Sequence, residues 1–485
     1  SAASDVYKRQ EETGGLIHMD QLPVGDPTLS AKEIVGNESQ ERMGIVIREE
    51  DIEHIRQIAD RERAPFYVVG ETTGDHRFVF EQTDGVKPID LAMEDMFGKA
   101  PRTVMTDRTV EETYEDVTYD QTQLDEYVER VLQLEAVACK DWLTNKVDRS
   151  VTGKIARQQC QGEIQLPLSD CGVVALDYRG RAGIATSIGH APQAALVDPA
   201  AGSILSIAEA LTNIVWAPLS EGLDSVSLSA NWMWPCKNEG EDARLYRAVE
   251  ACSDFACSLG INIPTGKDSL SMTQKYGKDK VYSPGTVIIS AGAEVSDIRK
   301  VVSPVLRTGI DSTVYYIDFS FDKLKLGGSA FAQSLDKIGK EVPTVQDSEY
   351  FANAFNAVQE LINKELILAG HDISAGGMIT TMLEMNFANT EGGLEVSLDE
   401  IPEKDLVKIL FSENPGILIQ VEKTDEVEKI LKKAGVAFIR LARPCDERHL
   451  LIHKDGADYQ FFIDHLRDVW SVSYTHLTLP TNSRV

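Results

Sequence analysis

The chain reads as a duplicated α/β (α+β) protein, and three observations carry that reading. The run Gly44-Ile45-Val46-Ile47, an acidic stretch and Phe66-Tyr67-Val68-Val69 return as Gly416-Ile417-Leu418-Ile419, an acidic stretch and Phe438-Ile439, offset by 372 residues at both the Gly and the Phe. A Gly-Gly step precedes each copy, at Gly14-Gly15 and Gly376-Gly377. Short apolar runs of strand length alternate with helix-period segments, the pattern of layered α/β folds. Repeats this far apart do not suit a solenoid, whose units of roughly 20 to 50 residues stack on neighbours. The copies differ where they enter the repeated strand. The first does so through Asn37-Glu38-Ser39-Gln40-Glu41-Arg42-Met43 and the second through Ser412-Glu413-Asn414-Pro415. The first has kept hydrogen-bonding side chains that the second has lost, which points to one working site and one retired or structural site.

Taken in order, residues 1–10 continue no pattern of their neighbours and read as foreign sequence, as do residues 471–485. Residues 11–95 form a shortened first copy: a strand at 44–48, a helix with Ile52, Ile55 and Ile58 on one face, a strand at 66–69 and another at 77–80. Residues 96–135 are a polar, acid-rich connector whose helix at 122–134 turns Leu124, Tyr127, Val131 and Leu134 to one side. Residues 136–296 form the N-terminal domain of the second half, with strands at 172–176, 225–229 and 286–290 and helices at 203–216 and 241–259. Residues 297–470 form its C-terminal domain: a strand at 313–318, a helix at 348–363, the Asp372–Gly377 loop and then the repeat.

A length of 485 residues is enough for about three domains. The formal charge of -29 argues against a nucleic-acid or anionic-membrane partner, because most of the surface repels a polyanion. An anionic substrate therefore needs a local basic or metal-bearing pocket. Seven scattered cysteines without a CxxC pair indicate neither a disulfide framework nor a zinc site, and they fit a reduced, cytoplasmic protein. No run approaches the roughly 18 apolar residues of a membrane span. Trp142, Trp216, Trp232 and Trp234 read as packing aromatics.

Three constellations can carry chemistry. In the helix at 203–216, Glu209 and Asn213 stand at i and i+4, so a carboxylate and an amide oxygen share one face. Alone they read either as hard ligands for a cation or as the solvated edge of an amphipathic helix. Asp170, at the mouth of the strand at 172–176, adds a ligand or a cap. Asp372, in His371-Asp372-Ile373-Ser374-Ala375-Gly376-Gly377, adds another oxygen beside glycines that let backbone N–H groups approach a phosphate. Together the four oxygens describe a magnesium–nucleotide site. The second constellation is Gly266-Lys267-Asp268-Ser269 on a short loop, offering close backbone approach, a cation for phosphate and a hydroxyl; it lacks P-loop spacing and reads equally as an Asx-type turn. The third is Glu38-Ser39-Gln40 at a strand end, either a ligand contact or a capping turn, with Arg42 answering any negative charge there. His190 and His371 lie beside these loops and take no role in this reading.

These residues carry a resemblance. From about Gly14 to Trp470 the chain resembles the large, single-chain phosphoribosylformylglycinamidine synthases. The motifs are Asn37-Glu38-Ser39-Gln40-Glu41-Arg42, Ser206-Ile-Ala-Glu209-Ala-Leu-Thr-Asn213-Ile, Leu228-Ser-Ala-Asn231-Trp-Met and Gly266-Lys267-Asp268-Ser269-Leu-Ser-Met272. The resemblance implies a duplicated aminoimidazole-ribonucleotide-synthetase-like fold, truncated here at both ends, with 136–296 as the nucleotide-binding domain of the second half. It implies a reaction in which ATP phosphorylates the amide oxygen of formylglycinamide ribonucleotide and ammonia, drawn from glutamine by a glutaminase domain missing here, displaces phosphate. It implies an auxiliary site holding ADP and Mg2+, with Asp170, Glu209, Asn213 and Asp372 as metal ligands and Lys140, Ser169 and Ser374 touching nucleotide. Gly266 and Lys267 fall to the nucleotide side of the cleft, and Glu38, Ser39, Gln40 and Ser269 to substrate. The alternative is a nucleotide-holding structural module of the same superfamily without turnover.

Overall fold

The computed structural model describes residues 13–36, 43–98, 104–146 and 153–477. The chain divides after Val104 into two compact units.

The first unit contains β1 (Gly15–His18), α1 (Ile52–Arg61), β2 (Gly70–Thr72), β3 (Arg77–Glu81) and β4 (Ile89–Ala92). The strands form one sheet in the order β2-β1-β3-β4. Its core is small, made of Met19, Phe78, Phe80 and Met93. Helix α1 carries the expected isoleucines yet buries none of its residues. Two expected strands are absent. Residues 43–48 form no strand and leave Met43, Ile45 and Val46 exposed. Residues 66–69 are also irregular, although Val69 O accepts a hydrogen bond from His18 N at 2.8 Å. Apolar alternation selects a strand only when a neighbour satisfies its backbone, and no described segment of this unit runs beside 43–48.

The second unit opens with an irregular run over 105–120, where Asp107 accepts from Gly240 N and Asp242 N and Tyr119 donates to Asp405 at 2.6 Å. Then come α2 (Leu124–Leu132), β5 (Ile155–Arg157), β6 (Gly172–Ala175), β7 (Gly183–His190), α3 (Pro199–Ile214), β8 (Ser227–Met233), α4 (Glu241–Ser258), β9 (Asn262–Ser269) and β10 (Thr286–Val295). The strands make a six-stranded sheet, β9-β8-β10-β7-β6-β5. Strand β7 alternates buried and exposed residues without a break, as expected when one face packs on helices.

A second sheet follows. Its elements are β11 (Thr313–Asp318), α5 (Ser348–Asn363), β12 (Ala369–Ile373), α6 (Gly377–Phe387), β13 (Gly393–Ser397), α7 (Leu406–Phe411), β14 (Gly416–Val421), α8 (Thr424–Lys433), β15 (Phe438–Cys445), β16 (His449–Lys454), β17 (Ala457–Phe462) and α9 (Ile463–Leu477). The seven strands run β12-β14-β11-β15-β13-β16-β17. Every residue of β14 is buried, because β11 and β12 pair with its two edges. One core joins the two sheets: Val173, Ile207 and Ile289 pack in the same cluster as Ile317, Phe351 and Ile419. Trp216 and Trp234 are buried there and in a satellite cluster, whereas Trp142 is 40% exposed.

Candidate cation and nucleotide site

Helix α3 sets the first part of the site. Asp198 caps it, its side chain accepting from Ala200 N, and Pro199 occupies the first turn, where a missing N–H costs nothing. The helix lies hard against β7: a Cβ at Gly189 would stand 2.3 Å from Ser206 O and from Ala210 N, so glycine is what permits the approach. Ser187 Oγ donates to Ala210 O at 2.6 Å and locks the pair. Glu209 and Asn213, one turn apart, therefore reach the end of β7. Glu209 Oε2 accepts from His190 N at 2.5 Å, and Asn213 Nδ2 donates to Ile188 O at 3.0 Å. That orientation leaves Glu209 Oε1 and the Asn213 amide oxygen for another partner.

The second part comes from the loop before β6 and from β12. The Asp170 and Asp372 side chains are each 3% exposed. Both Oδ2 atoms are buried without a hydrogen-bond partner. Such burial disfavours the ionised form. It pushes Asp372 well above the usual carboxylate range, with the Asp170 charge adding to the effect. It raises Asp170 too, against the pull of His371. His371 Nδ1 lies 2.7 Å from Asp170 Oδ1 and 3.4 Å from Asp372 Oδ1, ion pairs not aligned as hydrogen bonds, while Nε2 is 3.0 Å from Glu384 Oε2. Ligand atoms of Asp170, His371 and Asp372 lie within 4.8 Å of one another. Two orphaned carboxylate oxygens are what a hard divalent cation satisfies, so the residues present fit Mg2+.

A cavity of about 230 Å³ adjoins this cluster, lined by Lys140, His190, Glu209, Thr212, Gly327, Gly328, Ser374 and Glu413 among others. Gly376 caps α6 with φ +94°, a left-handed conformation that favours glycine, and a Cβ there would lie 2.3 Å from Thr380 Oγ1. Glu413 Oε1 accepts from Gly376 N at 2.8 Å and from Ala330 N at 2.7 Å, tying two helix starts together. Burial raises both Glu209 and Glu413 to about 7, although the hydrogen bonds they accept pull the other way. Lys140 Nζ donates to Ala138 O at 2.8 Å; burial lowers its pKa while the Glu384 charge opposes the fall.

The structure thus gathers Asp170 and Asp372 with His371 in one cluster and Lys140, Glu209 and Ser374 around one cavity, with the Glu209 charge acting on Asp372; Asn213 is in neither the cluster nor the cavity lining. Ser169 adjoins them, but its hydroxyl donates to Gln158 O at 2.9 Å and does not line the cavity. Gly266, Lys267 and Ser269 do not join the cavity either. The loop expected for them is strand β9, at the edge of its sheet and paired in parallel with β8, and Lys267 Nζ donates to Ser269 Oγ. The alternation of small and polar letters hid an edge strand whose partner is distant in sequence. Glu38, Ser39, Gln40 and Arg42 lie outside the described residues. The expectation that the second copy has lost its polar equipment is corrected: Glu413 holds two backbone amides and buried Asn414 donates to Ser320 Oγ and Lys323 O. Sequence reasoning missed Glu413, His371 and Glu384. The available signal was a histidine and an aspartate adjacent in a wholly apolar strand.

Two sheets with helices over a shared core, with a cavity beside a strand-to-glycine turn, fit the AIR-synthase-like fold. The AIR synthase related C-terminal domain family matches residues 9–82 and 313–449, the two stretches that hold the repeat, and the FGAR-AT PurM_N-like domain family matches 139–294. Phosphoribosylformylglycinamidine synthase of Dictyostelium discoideum is 37% identical over 445 residues, covering 87% of this chain and 33% of that protein. The Homo sapiens protein of that name is 37% identical over 451 residues, covering 89% and 34%. Thermotoga maritima PurL complexed with AMPPCP superposes with a TM-score of 0.57 at 16% identity, over 89% of this chain and 60% of that one, and PurL complexed with ATP with 0.56 at 16%, over 92% and 62%. Along most of its own length the chain is similar to the phosphoribosylformylglycinamidine synthases, and it spans about a third of the length of the curated relatives it matches.

Proposed function

We propose that the chain serves the ATP-dependent amidation of formylglycinamide ribonucleotide, with its second half holding ADP and Mg2+. The terminal phosphoryl of ATP passes to the amide oxygen, ammonia released from glutamine by a glutaminase domain attacks the activated carbon, and inorganic phosphate leaves to give the amidine. The observation that carries the reading is the pair of buried, unpartnered oxygens on Asp170 and Asp372, beside a cavity bearing Lys140 and Ser374. Asp170, Glu209, Asn213 and Asp372 would hold the cation, and Lys140 and Ser374 would contact the nucleotide, as would Ser169 only if its hydroxyl left Gln158 O. A cation bound there neutralises phosphate charge that the carboxylates would otherwise repel. Glu413 supports a holding role for this half: it occupies Gly376 N, an amide that a terminal phosphate would need. Glu38, Ser39, Gln40 and Ser269 fall to the substrate and Gly266 and Lys267 to the catalytic nucleotide. The charge of -29 is unsuited to nucleic acid, and no described helix is long and apolar enough to cross a membrane, which fits a cytoplasmic reaction.

The test uses the full-length protein that contains this segment. Gln40→Ala should lower kcat/KM for formylglycinamide ribonucleotide by about tenfold, the effect of one lost substrate hydrogen bond, and leave bound ADP unchanged. Unaltered kinetics would remove the 38–40 segment from the substrate site.

A further inference from the structure

We infer that Glu384, acting through His371, is a positioning residue that presents Asp170 and Asp372 to the cation without either partner contacting it. The inference rests on the cation site proposed above. Four side chains meet: Glu384 Oε2 is 3.0 Å from His371 Nε2, and His371 Nδ1 is 2.7 Å from Asp170 Oδ1 and 3.4 Å from Asp372 Oδ1. The imidazole thereby spends its outer nitrogen on Glu384 and its inner nitrogen between the two aspartates. In each aspartate Oδ1 is the oxygen that faces the imidazole, and Oδ2 is buried without a partner; Nδ1 itself makes no aligned hydrogen bond. Rotation of either carboxylate would exchange the two oxygens, and the charge attraction of the imidazole favours the orientation that keeps Oδ1 toward it.

The fold accounts for the proximity of these groups. His371 and Asp372 are adjacent in β12, so their side chains leave on opposite faces of the strand and approach Asp170 from two sides. Glu384 is on α6, the helix that starts at the glycine turn after β12, and Thr381 Oγ1 donates to Asp372 O at 2.9 Å, fixing helix and strand together. The Glu384 side chain keeps 19% exposure while His371 keeps 7%, so the outer carboxylate faces the more polar side and the imidazole is enclosed. Its charge also acts on Lys140, which lines the cavity. One glutamate thus addresses both the cation carboxylates and the cavity lysine. Groups that hold ligating carboxylates from outside the coordination sphere typically account for on the order of 10- to 100-fold in metal affinity. Direct ligation by His371 is the competing arrangement. It is disfavoured because Nδ1 already sits at ion-pair distance from Asp170 and because imidazole is a softer partner than Mg2+ selects.

The experiment titrates Mn2+, alone, into the purified chain and reads it by electron paramagnetic resonance. Wild type should bind Mn2+ with no directly bonded 14N in the pulsed spectrum. Glu384→Ala should weaken binding about tenfold or more, and Glu384→Gln, which still accepts from the imidazole, should restore most of it; melting in EDTA checks that the variants are folded. A strong 14N coupling in wild type overturns the inference without any variant, because it makes His371 a ligand. Folded Glu384→Ala with wild-type Mn2+ affinity overturns it too, while leaving the cation site standing. Mn2+ affinity unchanged in Asp170→Asn takes away the site itself, and the positioning role with it.

Discussion

The two copies of the repeat start their shared segment with nearly the same letters and end in different physical states. In the second copy Gly416–Val421 is fully buried, flanked by β11 on one edge and β12 on the other. In the first, Ile45 is 55% exposed and Val46 41%, and no strand forms. The difference lies in the neighbours. Strand β11 begins 103 residues before Gly416 and pairs along its whole length with β14, whereas no described strand pairs with residues 43–48. A hydrophobic pattern states which face a strand would bury; only a partner strand makes burial and backbone pairing available together. The same contrast governs chemistry, because the cavity and its carboxylates are built on the fully paired copy.

The largest expected effect breaks or upholds that contrast directly. Leu418→Ala removes a fully buried side chain from β14 and should cost about 2–5 kcal/mol, whereas Ile45→Ala should stay within about 0.5 kcal/mol. Urea unfolding of the two variants checks this. Equal costs would mean that residues 43–48 are packed as a strand.

A smaller effect sharpens the contrast at the entry segments. Glu413 is raised from an ordinary 4.5 to about 7, first by burial. Its folded form holds a proton that the unfolded chain has already released, so between pH 4.5 and 7 the unfolded state binds fewer protons and stability falls as pH rises. The full effect, on the order of 3 kcal/mol, is reached once pH passes about 7. Glu413→Gln keeps an acceptor for Gly376 N and Ala330 N but cannot ionise, so its stability should decline less than wild type over that range. Parallel melts at pH 5, 6 and 7.5 give the difference. Parallel curves would show Glu413 to be ionised at no cost.

Much of the fold was legible. The strand at 313–318 and the helix at 348–363 occur at those residues, because an apolar run bounded by turn signals and a long 3.6-period face leave little choice. The helix holding Glu209 and Asn213 runs from 199 rather than 203, since Asp198 and Pro199 form a start signal stronger than the apolar periodicity that follows. Three kinds of feature escaped. Gly266-Lys267-Asp268-Ser269 looked like a loop because its exposed, polar letters suit an edge strand and a turn equally, and pairing with Ser229–Met233 is a long-range fact. Residues 43–48 looked like a strand because the pattern is silent about partners. The His371–Glu384 pair was invisible because it joins a strand to a helix 13 positions later, a separation that no local periodicity marks.

Binding of ADP to this chain, measured by equilibrium dialysis with Mg2+ and with EDTA, tests the nucleotide site most directly. In the proposed site the carboxylates would face a polyphosphate and need a cation between them, so wild type should bind ADP near 1:1 with Mg2+ and lose it in EDTA. Asp170→Asn together with Glu209→Gln should abolish the Mg2+-dependent component and its thermal stabilisation, since a ligand bound only to the folded state raises stability by mass action. ADP bound equally with and without Mg2+, or retained at full stoichiometry by the double variant, would contradict the assignment of Asp170, Glu209, Asn213 and Asp372 to the cation.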